Sequence, residues 1–295
     1  MKKYFNLLVY ISLVFLCIAL YKADYLEIPH VESIPLLSLS IVLVLLGFFV
    51  EAVIWTRTLN LYNYKIFLSD GIVSEGLSIF GKYIPGKIWT LLGRSAYLAK
   101  KYEYEESELL CVSVISQFIF LWVSLLVGSI AFFFVEVSYL VVGAAILSFI
   151  LLTVIILNKK FNLFVSKIIG KIVKKDFNVP LLQFKTLLIL VPYYCVLWLL
   201  WGGGFWCLSQ SLTDFPIPIY ASFIFPFAAT VGIIIVVLPG GIGARESVLG
   251  TLLLSMSVPE AVTISVASRL WFLVGECFLF VFAVILKKIT NKKIE

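Results

Sequence analysis

Six apolar runs divide this chain, over residues 4–21, 35–57, 107–134, 138–157, 186–211 and 259–286. Each approaches or exceeds the roughly 18 apolar residues that carry a helix across the hydrocarbon core of a bilayer. That excludes most folds at once, because lipid offers no partner to a backbone N–H or C=O, and a spanning segment must satisfy both within itself. The expected fold class is therefore all-α and integral to a membrane. Composition agrees: with 62% hydrophobic and 14% charged residues and a mean hydropathy of +1.08, the chain has too little polar surface for a water-soluble globule. Lys2 and Lys3 precede the first run as they would in a signal peptide. No small-x-small cleavage site follows, since the run ends Ala19-Leu20-Tyr21-Lys22, and the first helix is expected to be retained.

Two segments between the runs break the pattern. Residues 70–100 are too polar and interrupted to cross, and residues 218–257 are apolar but split by Pro239-Gly240-Gly241. If both dip into the membrane and return, the basic loop residues collect on one side: Lys2 and Lys3; Arg57, Lys65, Arg94, Lys100 and Lys101; Lys159, Lys160, Lys167, Lys171, Lys174 and Lys175; Lys287, Lys288, Lys292 and Lys293. The opposite loops carry Asp24, Glu27, Glu32, Glu136 and Asp214, with little beyond Lys22 and His30 against them. Basic loops stay in the cytoplasm, so both termini are expected there and the localisation is the cytoplasmic membrane. The net charge of +6 thus reports orientation, and nucleic acid is not an expected partner.

An internal repeat sharpens the topology. Glu108-Leu109-Leu110-Cys111-Val112-Ser113-Val114-Ile115-Ser116-Gln117 opens one apolar run, and Glu260-Ala261-Val262-Thr263-Ile264-Ser265-Val266-Ala267-Ser268-Arg269 opens another, with Glu, Val and both Ser in register. Each follows a Pro-Gly-punctured segment with a basic residue. The two runs would cross in opposite directions, so the repeats, about 1–134 and 138–286, are expected to be inverted: six spans plus two opposed re-entrant hairpins. Broken segments at matching positions in two halves point to a binding site between them, and backbone broken at membrane depth must line a wet cavity or be buried in protein.

Several side chains then become candidates for binding. Arg269 and Glu276 lie on one face of the last run, separated by about 10 Å of helical rise. Ionisable groups in a membrane cost about 2.5 kcal/mol or more each and face the interior, pairing or binding something. Arg269 either ties helices together through Glu246 or Glu276, or touches a ligand. Glu51 and Glu75 are similar candidates; together with Glu276 they could couple transport to protons. Arg94, Gln117, Arg269 and Glu276 form the expected lining of a cavity that opens toward the lipid. The glycines at 240, 241 and 243 let backbone approach closely and expose N–H groups at a helix start, where Arg245 adds a guanidinium: an anion site, with Glu246 orienting the arginine. Lys82, Lys87 and Arg94 crowd one short segment with Trp89 and suit an anionic headgroup at the cytoplasmic interface. Ser113, Ser116, Ser265 and Ser268 read as small helix-packing residues. The cysteines at 17, 111, 195, 207 and 277 lie in apolar runs without metal-ligand spacing, so no metal or cofactor is expected.

Gly81-Lys82-Tyr83-Ile84-Pro85-Gly86-Lys87-Ile88-Trp89, Gly93-Arg94 and Leu238-Pro239-Gly240-Gly241-Ile242-Gly243-Ala244-Arg245-Glu246 resemble the K-Y-x-P-G-K-x-W and L-P-G-G-x-G-x-R-E patterns of the lysylphosphatidylglycerol synthase transmembrane-region family, also called flippase-like. The resemblance covers roughly residues 35–286. It implies movement of lipids with modified headgroups: aminoacyl phosphatidylglycerol, as in the membrane domain of multiple peptide resistance factor, or polyprenyl-phosphate sugars. The 295-residue chain stops shortly after the last run, so no soluble aminoacyltransferase domain and no lipid synthesis are expected. Nothing resembles a nucleotide-binding loop, and the scattered Asp24, Asp70, Asp176 and Asp214 form no carboxylate cluster for catalysis. The expectation is a transporter rather than an enzyme. The alternatives are a membrane partner of a glycosyltransferase or a lipid-modifying transferase.

Overall fold

The structure is a computed structural model that describes residues 30–84, 88–160, 163, 167, 183–234, 248–249 and 258–292. The first expected span and the candidate residues Lys87, Gly240, Gly241, Arg245 and Glu246 lie outside the described residues. Among the described residues eight α-helices follow in order: α1 (Ile34–Leu61), α2 (Leu68–Ser78), α3 (Trp89–Tyr102), α4 (Glu106–Gly128), α5 (Tyr139–Leu157), α6 (Phe184–Ser211), α7 (Ala221–Ile234) and α8 (Val258–Lys292). A 3-10 turn, Ile79–Tyr83, follows α2, and another, Ser129–Phe133, extends α4. Among the described residues there is no strand.

Five of these elements are long and apolar enough to cross a membrane: α1, α4 with its 3-10 extension, α5, α6 and most of α8. Four of the five expected runs they answer to end within a few residues of their helices. The exception is the last, whose helix continues through Lys287 and Lys288 to Lys292; lysine is a good helix former, and cations at a helix C-terminus interact favourably with its dipole. The expected break at 70–100 is a helix, a 3-10 turn and a second helix packed against the first. Asp70 in the first turn of α2, Lys100 and Lys101 in the last turn of α3, and Glu106 and Glu108 in the first turn of α4 each place charge where the helix dipole favours it. In the second broken segment, α7 is described; it is apolar and short.

The helices arrange themselves around α4, 78% of whose most apolar stretch is buried, against 11% in α5. One face of α4 carries a ladder of polar links to its neighbours. Ser113 meets α3 through Arg94, Ser116 meets α6 through Tyr194 at 2.8 Å, and Ser124 donates to the Pro226 carbonyl of α7 at 2.8 Å. These serines are packing residues in the expected sense, yet each is also a hydrogen-bond partner, a glue that matters in lipid because tails are as apolar as leucine. α5 is the outlier, fastened to α4 by Trp122, which donates to Thr153 at 2.8 Å and stacks on Phe149 at 5.0 Å.

Close approach elsewhere depends on glycine. A Cβ on Gly76 of α2 would sit 2.7 Å from the Leu279 carbonyl oxygen of α8 and 2.5 Å from Ala283 Cβ, so the hairpin lies directly on the last helix. A Cβ on Gly47 of α1 would overlap the Trp201 indole of α6, whose Nε1 donates to the Val44 carbonyl at 3.3 Å. At the centre, Phe48, Trp201 and Phe272 bring α1, α6 and α8 together with ring centroids 4.8–5.2 Å apart, each such pair contributing about 0.5–1.5 kcal/mol beyond its area.

Candidate functional site

The 3-10 turn after α2 ends inside the protein, not at its surface. Its Tyr83 is buried, and on either side of it lie charged residues that reach α8 and α4. Lys82 Nζ is 2.5 Å from Glu276 Oε1, and the Tyr83 hydroxyl donates to Glu276 Oε2 at 2.8 Å. Glu276 thereby receives a donor on each oxygen, which is what a carboxylate that is 1% exposed requires. The Lys82 ammonium also lies 5.2 Å from the Phe272 ring centre and the Arg269 guanidinium 5.2 Å from that of Tyr83, distances at which the face of an aromatic ring attracts a cation.

Arg94 is held more tightly still. Its Nη1 is 2.9 Å from Glu75 Oε2, its Nε donates to Ser113 Oγ at 2.6 Å, and its Nη2 donates to the Ser113 carbonyl at 3.0 Å. The guanidinium lies over the Trp55 ring at 4.3 Å, and Trp55 in turn donates to Ser74 at 3.0 Å. Only arginine has the flat, forked set of donors that engages acceptors on two helices while stacking on an indole. Arg94, expected with Lys82 and Lys87 in a basic segment suited to a headgroup and also in the lining of a polar cavity, is at the cavity with a side chain only 6% exposed, enclosed by Trp55 and by the pairing with Glu75. Lys82 is at the cavity too, 30% exposed.

Between these pairs lies a cavity of about 320 Å³, at the small end of the about 300–1,000 Å³ typical of ligand pockets. It brings together every described candidate: Glu51 from α1, Glu75 from α2, Lys82 from the turn, Arg94 from α3, Gln117 from α4, and Arg269 and Glu276 from α8. Phe48, Phe118, Phe120, Trp198, Trp201 and Phe272 supply an aromatic wall. Three acidic and three basic side chains therefore share one space, and pairing of acid with base, as in Glu75–Arg94 and Glu276–Lys82, is what lets charges persist in a low-dielectric interior. Glu51 and Gln117 line it without a hydrogen bond or ion pair to any described residue.

Sequence reasoning missed Trp55, Tyr83 and the aromatic wall as parts of the site, and it discounted Ser113. Tyr83 stood inside the Gly81-Lys82-Tyr83 motif and was open to notice; Trp198, Trp201 and Phe272 lie in long apolar runs where nothing distinguishes a cavity wall from core.

The family model for the lysylphosphatidylglycerol synthase TM region matches residues 6–283. The chain belongs to that family. No curated protein and no solved structure matches it. The family match spans all the described cavity residues, and also Lys87, Gly240, Gly241, Arg245 and Glu246, so the geometry above is that of a lysylphosphatidylglycerol synthase TM region.

Proposed function

We propose that this protein is a lipid flippase or scramblase that carries an anionic lipid with a modified headgroup, a polyprenyl-phosphate sugar or an aminoacyl phosphatidylglycerol, across the cytoplasmic membrane, without chemistry on the lipid. One observation carries the reading: a cavity with ionisable groups of both signs, built by helices that are themselves long and apolar enough to span. A phosphate entering hydrocarbon forfeits its hydration, and charge-assisted hydrogen bonds are the replacement that lowers that cost. Lys82 is placed to provide one. It is the cavity cation with the most exposed side chain of the two whose pairing is described, and a headgroup phosphate can take the place Glu276 now occupies.

In this reading the hairpin α2–α3 and the segment containing α7 are re-entrant, the two repeats are inverted, and both termini are cytoplasmic. Lys87, Gly240, Gly241 and Arg245, with Glu246 orienting the arginine, complete the headgroup path. Arg94 shapes that path from behind its pairing with Glu75, and Glu51, Glu75 and Glu276 are the candidates for proton coupling. Long tails stay in lipid, because 320 Å³ accommodates a headgroup and little else.

The test is reconstitution of the purified protein alone in liposomes carrying a fluorescent polyprenyl-phosphate sugar or aminoacyl phosphatidylglycerol, with a membrane-impermeant quencher reporting the outer leaflet. Movement that Lys82→Gln slows about tenfold or more is the expected result. No movement by the protein alone would turn the reading toward a glycosyltransferase partner. Cysteine labelling that placed residue 291 outside and residue 3 inside would overturn the inverted arrangement.

A further inference from the structure

The carboxylates of the cavity are not equally engaged. Glu75 takes Arg94 at 2.9 Å, and Glu276 takes Lys82 at 2.5 Å and Tyr83 at 2.8 Å. Glu51 lines the same space, half-buried, and no described residue hydrogen-bonds to it or pairs with it. Its charged neighbours are Glu75, Lys82, Arg94 and Glu276, and both of those cations are committed to the other two carboxylates. A carboxyl group at membrane depth is retained at a cost unless hydrogen-bond partners reach it. Gln117 of α4 is in the same state, lining the cavity with a donor and an acceptor unused by described residues. Two polar groups in one small cavity thus await partners that can donate and accept.

The surroundings discriminate among cargo chemistries. A bare phosphate is mostly acceptor and offers little to both the Glu51 carboxyl group and the Gln117 amide. An ammonium meets Lys82, Arg94 and Arg269 in the same 320 Å³. A hydroxyl both donates and accepts, so it can exchange hydrogen bonds with the carboxyl group and with the amide. The carbon skeleton of a polyol ring presents C–H groups, which the negative faces of Phe48, Trp198, Trp201 and Phe272 suit. The volume has room for one ring and its phosphate rather than an oligosaccharide.

We propose that Glu51, assisted by Gln117, reads the hydroxyls of an uncharged polyol or single sugar joined to the cargo phosphate, making Glu51 a specificity-determining residue of the site. The inference rests on the cargo-carrying reading above and narrows its substrate class to hydroxylated phosphoesters.

Trp198 and Trp201 line the cavity, so tryptophan fluorescence of the purified protein in detergent reports binding of soluble probes. Glucose 1-phosphate is expected to bind at least tenfold more tightly than inorganic phosphate or phosphoethanolamine. Glu51→Gln keeps a carbonyl that accepts from hydroxyls and should hold glucose 1-phosphate within about threefold. Glu51→Leu should abolish the preference, with glucose 1-phosphate losing at least tenfold more affinity than inorganic phosphate. Tightest binding of phosphoethanolamine, equal binding of all probes, no binding of any, or a Glu51→Leu loss common to all three would each overturn the proposal. Thermal unfolding of both variants identifies a merely packed residue, since both would then melt early. A protein that prefers glucose 1-phosphate yet moves no lipid in liposomes keeps the role of Glu51 and refutes transport; one that moves lipids with no Glu51-dependent preference does the reverse.

Discussion

Two ion pairs join α2 to α3, and they live in different surroundings. Asp70 and Lys101 pair near the base of the hairpin, where the Tyr102 hydroxyl also donates to Asp70 at 2.6 Å. Glu75 and Arg94 pair closer to its tip. The Lys101 side chain is 25% exposed and that of Asp70 5%, against 6% and 4% for Arg94 and Glu75, so the two pairs differ in their cation. Neither Asp70 nor Lys101 lines the cavity; Glu75 and Arg94 both do. The same acid–base chemistry across the same two helices therefore serves as a clamp at one end and as the floor of a binding site at the other. Exposure of the cation decides between them, because water reaches Lys101 and is replaced by protein around Arg94.

The strongest way to break this comparison is to empty the inner pair. Arg94→Leu leaves Glu75 buried without its cation and removes both contacts to Ser113, so we expect a loss of about 3–5 kcal/mol in stability, read as an early thermal transition in detergent, with transport abolished. If Arg94→Leu cost no more than an outer-pair change, the distinction would fail. Lys82→Gln should separate site from scaffold in the opposite sense: transport falls steeply while stability drops by only about 1 kcal/mol, since Lys82 is partly exposed and Tyr83 still donates to Glu276.

Changes at the hairpin base should be gentler. Asp70→Asn removes the charge partner of Lys101 but keeps an acceptor for Tyr102, so about 0.5–1 kcal/mol is expected, with lipid movement within about twofold of wild type. A larger transport defect would make the clamp part of the site. Tyr102→Phe removes two partly exposed hydrogen bonds, the one to Asp70 and the one the hydroxyl accepts from the Phe67 N–H at 3.2 Å, and about 0.5 kcal/mol is expected, the low end for such bonds. Burial, and then the hydrogen bond to Asp70, push the Tyr102 hydroxyl up from its ordinary 10.0 to about 12. A group whose folded value is raised contributes stability that is fully present below its unfolded value and lost as pH rises through the folded one. The advantage of wild type over Tyr102→Phe should hold up to pH 10 and disappear towards pH 12 in denaturation measured across that range.

Much of the architecture was legible in the sequence, and the reason is local. Hydropathy over a span-length window needs no knowledge of neighbours, so α1, α4, α5, α6 and α8 announce themselves. The Pro-Gly interruption after Tyr83 likewise marks where α2 and α3 must be separate. Charges within apolar runs were legible as candidates for the same reason: Glu51, Arg269 and Glu276 are out of place wherever the helices pack. What the pattern could not supply was partnership. Of the two partners it offered to Arg269, Glu246 lies outside the described residues, and Glu276 takes Lys82 and Tyr83 from a turn far away in the chain. It set Arg94 in the lining of a polar cavity without naming what holds it, and the packing of Trp55, Glu75 and Ser113 around it supplies those partners.

By itself, then, the sequence determined that this protein lives in a membrane, where its helices run and which ionisable groups they carry into the bilayer, because each of these follows from transfer energies of single segments. The tertiary structure decided which acid meets which base, which tryptophans form a wall, and that Glu51 and Gln117 face the same cavity without a described partner. Those are properties of distance between segments, and distance is set by how helices pack, through contacts such as Gly76 against α8 and Gly47 against Trp201, not by what any one segment contains.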